Sequence, residues 1–163
     1  MVDSLGRWLL RKLRSTARTN DVDPGLLPEP TAADLRAARE ELVRGGPRVA
    51  ENLLELLVAA DQRGGDLRQI ARREVAALRP KDWLAVDLAS RRGWWSFPAW
   101  WRGAIEAASR DTSSLCVLVA SFHPDGHVRE ATTARLSELD DPVLAAALAL
   151  RCADWVPQVR DRA

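Results

Sequence analysis

The sequence predicts an all-α chain built as a stack of antiparallel helix pairs, on three observations. Apolar residues recur at helical spacing along most of the chain, Gly and Pro punctuate it at short intervals, and no segment alternates as a strand would. Short linkers force successive helices to run antiparallel. Each helix has an apolar face too broad to bury against one neighbour, so stacking is what covers it.

The elements follow in order. Leu5, Trp8, Leu9 and Leu13 recur at helical spacing while Arg7, Arg11, Lys12, Arg14 and Arg18 cover the rest, which predicts a basic amphipathic helix within residues 1–19. Residues 20–30 contain Asp23-Pro24-Gly25 and Pro28-Glu29-Pro30 and read as a linker. Residues 31–163 form the helical domain. Thr31 and Asp34 resemble a capping box, with Asp in place of the more usual Glu or Gln, and open a helix through Leu35, Ala38, Leu42 and Val43 that Gly45-Gly46-Pro47 ends. The next, over residues 47–63, carries Leu53, Leu54, Leu57 and Val58 and stops at Gly64-Gly65, where a left-handed turn is natural. Helices are predicted at 66–78, at 81–91 before Gly93-Trp94-Trp95-Ser96-Phe97, and from Pro98 onward, since proline suits a first helical turn. Three more span 112–122, 126–138 and 142–152, and a last begins near Val156. The apolar run Leu115 to Ala120 fits helix or strand by periodicity alone; its helical neighbours decide for helix.

A chain of 163 residues that is 47% hydrophobic can bury one sizeable core and is not wholly disordered. Its charged residues nearly cancel to +1, so no whole-molecule field draws it to nucleic acid or membrane. The placement is uneven: five basic residues and one acid precede Asn20, a balance of +4 that leaves −3 on the remainder of a +1 chain. Two cysteines, Cys116 and Cys152, are too few for a disulfide scaffold, and Arg7, Arg11 and Lys12 break the first apolar run, so a reduced, cytoplasmic setting is expected. The longest uncharged apolar stretch, Val143 to Leu150, falls far short of the roughly 20 residues needed to span a bilayer.

An internal repeat is also visible. Residues 118–130 align with residues 149–161, 31 positions later, and both place Val-Arg-acid at the start of a helix after a polar turn. Asp34-Leu35-Arg36 recurs as Asp66-Leu67-Arg68. In Asp125–Ala131 and Asp154–Ala163 the chain resembles the turn and second-helix opening of the HEAT-repeat family. That resemblance implies an α-solenoid whose curved surface binds other macromolecules. It also implies a structural ladder between neighbouring units in which an acid pairs with the repeated arginine six positions on, and Arg129, Asp154 and Arg160 are its candidates. Residues 31–110 are covered only by helix length and a weak arginine register, so another helical fold there stays open. Because an array ends in a polar cap and Ala163 falls early in a helix, the chain is expected to be the amino-terminal part of a longer array or to have its end covered by a partner.

No catalytic, metal or cofactor set is expected. Glycine loops of the Gly-x-Gly-x-x-Gly or Walker type are absent. Cys116, His123, His127 and Cys152 lack the Cys-x-x-Cys spacing of strong zinc signals, and Pro124-Asp125-Gly126 keeps the histidines off one helical face. Cys116/His123/Asp125 is too generic a set for nucleophilic catalysis, and Glu130, Glu138, Asp140, Asp141, Asp154 and Asp161 read as caps and solvated faces before they read as an acid/base pair.

Trp94, Trp95, Trp100 and Trp101 fall close together beside Arg91, Arg92 and Arg102. Rings beside arginine form interface hot spots or stack bases, and against both stands plain burial between helices. Arg91, Arg92, Trp94 and Trp95 are the candidate partner-binding residues. The expected function is a non-catalytic scaffold for a protein partner. The rival is a DNA-binding or DNA-alkylation-repair protein of the HEAT-like glycosylase type, favoured by the Trp/Arg cluster and disfavoured by the −3 body. The basic helix has three candidate uses: docking onto the helical body or a partner, which is preferred, or contact with a membrane surface or nucleic acid phosphate.

Overall fold

The computed structural model describes residues 30–45, 49–92 and 114–163, with backbone alone at Val49 and Arg92. The basic segment, most of the linker and the Trp94–Trp101 cluster lie outside the described residues. Within them every regular element is helical, as the sequence predicts. The order is α1 (Ala32–Arg44), α2 (Val49–Arg63), α3 (Gly65–Ala76), α4 (Pro80–Arg92), α5 (Ser114–Ala120), α6 (Gly126–Glu138), a 3-10 turn (Pro142–Leu144), α7 (Ala145–Cys152) and α8 (Pro157–Arg160). Among the described residues no helix is long and apolar enough to cross a membrane.

The local chemistry explains most of these boundaries. Thr31 Oγ1 accepts from the Asp34 N–H at 3.2 Å while the Asp34 carboxylate accepts from the Thr31 N–H at 2.9 Å, so the shorter acid closes the capping box. Thr31→Ala is therefore expected to lower unfolding stability in urea by about 1 kcal/mol; an unchanged midpoint would mean that the Thr31 side chain contributes nothing to the cap. Gly45 ends α1 in the left-handed region at φ 89°, its N–H donating to the Leu42 carbonyl at 3.0 Å. Gly64 and Gly65, at φ 72° and 54°, turn the chain so sharply that α3 starts almost where α2 stops. At 142–152 the structure departs from a single helix. Asp141 caps the Val143 N–H and Pro142 opens a tighter 3-10 turn, from which α7 continues.

The core lies around α2, which touches α1, α3, α4 and α5 and buries Leu53, Leu54, Leu57 and Val58. All of Leu115 to Ala120 is buried in α5, which is why that run shows no polar face in sequence. Contacts are not confined to successive helices. α2 meets α5, α4 meets α7, and α3 meets the 3-10 turn. The last junction is held by Arg72, whose guanidinium donates to both Asp141 oxygens at 2.6 and 2.8 Å and to Ser114 Oγ at 2.7 Å. Residues 69 positions apart are thus joined, and α1 to α7 each contribute buried side chains to one core.

Candidate functional site

The packing of α4 on α7 creates the densest polar site among the described residues. α4 turns Trp83, Val86, Asp87 and Ser90 inward, so one carboxylate lies on an otherwise core-facing stripe. α7 brings Arg151, fully buried, against it. Arg151 Nη2 donates to Asp87 Oδ1, and Nη1 donates to the Ser121 carbonyl at 3.0 Å and to Asp154 Oδ2 at 3.2 Å. From α6, Arg129 binds Asp154 with Nε and Nη2 at 3.0 and 3.1 Å. Arg91, one turn beyond Asp87 on α4, reaches Asp87 at 2.9 Å and Asp154 at 3.1 Å. Charges this deep persist only when paired and hydrogen-bonded, and Asp154 pairs with three guanidinium groups at once. Arg151 Nε and Arg91 Nε are buried with no hydrogen-bond partner among the described residues, so the network is not fully satisfied.

Aromatic rings frame it. Arg151 lies over the Phe122 ring at 5.3 Å, and Phe122 stacks on Trp83 with centroids 5.7 Å apart. Arg129 lies 5.9 Å from the centroid of Trp155, which is itself 71% exposed.

The electrostatics follow from these contacts. Burial pushes the Asp154 carboxyl up, but hydrogen bonds from Arg129 and the Val156 N–H, with the charges of Arg129 and Arg91, outweigh it and hold the group below 3.8. Asp141 is lowered likewise, with burial overcome by Arg72, Val143 and Ser114. For Asp82 the Arg79 hydrogen bond dominates and lowers it. Burial pulls the Arg151 guanidinium below the usual arginine range, against the charge and hydrogen bond of Asp87. Carboxyls depressed in the folded state make the unfolded chain the better proton binder near pH 4. The stability they add is complete above their ordinary value and lost as pH falls through the folded one. The thermal midpoint is thus expected to stay level from pH 7 to about 5 and to drop below about pH 4. A loss already complete between pH 7 and 6 in thermal melts would contradict this.

The repeat seen in sequence has a geometric counterpart. Arg129 Nη1 donates to the His123 carbonyl at 2.8 Å, and Arg160 Nη1 donates to the Asp154 carbonyl at 2.7 Å, each six residues back. The Asp125 N–H donates to His123 Nδ1 and the Val156 N–H to Asp154 Oδ1, both at 3.0 Å. Val128 and Val159 are buried in equivalent places. His123 therefore does for its turn what Asp154 does 31 positions later, although it breaks the acid pattern. Arg68 Nη2 closes the end of α2 in the same way on the Asp61 carbonyl at 2.7 Å. Of the ladder candidates, Asp154 and Arg129 pair through the carboxylate, whereas Arg160 meets the Asp154 carbonyl instead.

Of the predicted partner-binding residues, Arg91 is engaged inward, and the Arg92 side chain, Trp94 and Trp95 lie outside the described residues. The sequence reading missed Asp87 and Arg151. The available signals were an arginine inside the apolar run 143–153 and an acid beside Trp83 and Val86 on one stripe. It also missed the outer face of α4, where Leu84 and Leu88 are each 48% exposed. Among the described residues no group of three or more His, Cys, Asp or Glu is placed to hold a metal ion. Comparison of the chain with protein-family models, curated proteins and solved structures finds no match.

Proposed function

We propose that the chain is a non-catalytic protein-interaction module built on HEAT-like helix pairs, with a protein as its partner and the cytoplasm as its setting. The observation that carries this reading is the division of α4 into two faces. Its carboxylates, Asp82 and Asp87, point inward and are engaged by Arg79, Arg91 and Arg151, while Leu84 and Leu88 face outward. Charges committed to mutual pairing hold helices together, and aliphatic side chains one turn apart on a well-anchored helix are what a partner helix packs against. The recurring arginine-to-carbonyl closure at 31-residue spacing supports the HEAT-like part of the reading. The exposed thiol of Cys152 suits a reducing compartment.

Affinity capture with the intact chain and with Leu84→Asp/Leu88→Asp tests it. The variant is expected to fold with an unchanged far-UV spectrum and to lose a discrete set of captured proteins. Equal recovery of every protein by both chains contradicts the proposal.

A further inference from the structure

Resting on that interaction reading, we infer that the α4 face takes an acidic amphipathic helix, whose apolar side chains seat on Leu84 and Leu88 between carboxylates that meet Lys81 and Arg91. Lys81, Leu84, Leu88 and Arg91 follow spacings of three, four and three residues, which place them on one stripe of α4. Lys81, Leu84 and Leu88 are exposed, and Arg91 is 24% exposed at the far end.

Charge decides the partner's chemistry. The acids of α4 are withdrawn: Asp82 is held by Arg79 at 2.8 Å and Asp87 by Arg91 and Arg151. Among the described residues three guanidinium groups, Arg91, Arg129 and Arg151, face two carboxylates, Asp87 and Asp154, so positive charge is in excess, and Arg91, although it pairs with both carboxylates, is the member with partial access to water. The stripe is thus an aliphatic pair with a cation at each end, and its complement is an aliphatic pair with an acid at each end. Leucines between the cations offer nothing to phosphates or base edges, which disfavours nucleic acid. Interfacial membrane binding scales with buried apolar area, and two leucines supply little.

Selection of a display library of random helical peptides on the full-length chain tests the inference. The expected winners carry Leu, Ile or Phe one turn apart with Asp or Glu on the same face. Their Kd should rise about tenfold or more with Leu84→Asp/Leu88→Asp. It should rise also with Lys81→Glu, which should regain affinity for the same peptide with its facing acid changed to Lys. Lys81→Glu sits in the first turn of α4, where an acid is well tolerated, and an unchanged melting temperature checks folding. Winners that are basic or uncharged, or that bind Lys81→Glu equally well, overturn the acidic partner while leaving the capture experiment above as the separate judge of the interaction reading. Failure to select any peptide overturns the inference, and binding of duplex DNA or phosphatidylserine vesicles that Leu84→Asp/Leu88→Asp abolishes overturns both.

Discussion

Asp154→Ala is expected to destabilise the chain by about 3–5 kcal/mol, measured by urea unfolding. Its carboxylate is fully buried and is shared by Arg91, Arg129 and Arg151, of which Arg129 and Arg151 have almost no access to water. Among the described residues, removing it leaves buried Arg129 with backbone carbonyls alone and Arg151 with Asp87 as its one carboxylate, and the cost is under-compensated desolvation more than the worth of the lost pairs. The Val156 N–H loses its cap as well. Asp154→Asn retains the size and can still cap that N–H, so it is expected to lose less. A loss below about 1 kcal/mol for the alanine variant would place these arginines with surface ion pairs and refute their dependence on Asp154.

Phe122→Ala is expected to cost about 3–5 kcal/mol. The ring is fully buried, stacks on Trp83 and lies beneath the Arg151 guanidinium, so truncation opens a cavity and withdraws a face from a buried cation. Phe122→Leu keeps an apolar side chain there and is expected to cost less, the remaining loss reporting the ring. A Phe122→Leu variant as stable as the unaltered chain in guanidinium titrations would show that the π-face contributes nothing. Because Phe122 and Asp154 both touch Arg151, the two alanine substitutions together are expected to be non-additive.

What the sequence made legible and what it hid divide along a physical line. Helix ends are set by neighbours in the chain, so Thr31 with Asp34, Gly45 and Gly64 marked boundaries that the structure reproduces. The 3-10 turn at Pro142 was hidden because a proline opens either kind of helix. Arg129, Asp154 and Arg160 stood out through the 31-residue repeat, but the spacing pointed to Asp154 with Arg160, whereas the Asp154 carboxylate pairs with Arg129 and Arg160 meets its carbonyl. Asp87 and Arg151 are 64 residues apart and meet only because α4 packs on α7, which no local spacing encodes. The faces of α4 were equally hidden. Trp83, Leu84, Val86 and Leu88 surround the helix with apolar groups, so periodicity could not say which of them water would see. Arg91, grouped with the tryptophans by composition, turned out to hold Asp87 and Asp154.

The claim that the buried charges hold the helices while the leucine stripe does the binding is tested most directly by Asp87→Leu combined with Arg151→Met. This exchange replaces one buried ion pair with apolar groups and leaves the balance of the remaining charges unchanged. The double variant is expected to unfold cooperatively and to recover the same captured proteins as the unaltered chain. A folded double variant that loses them as completely as Leu84→Asp/Leu88→Asp would contradict the account.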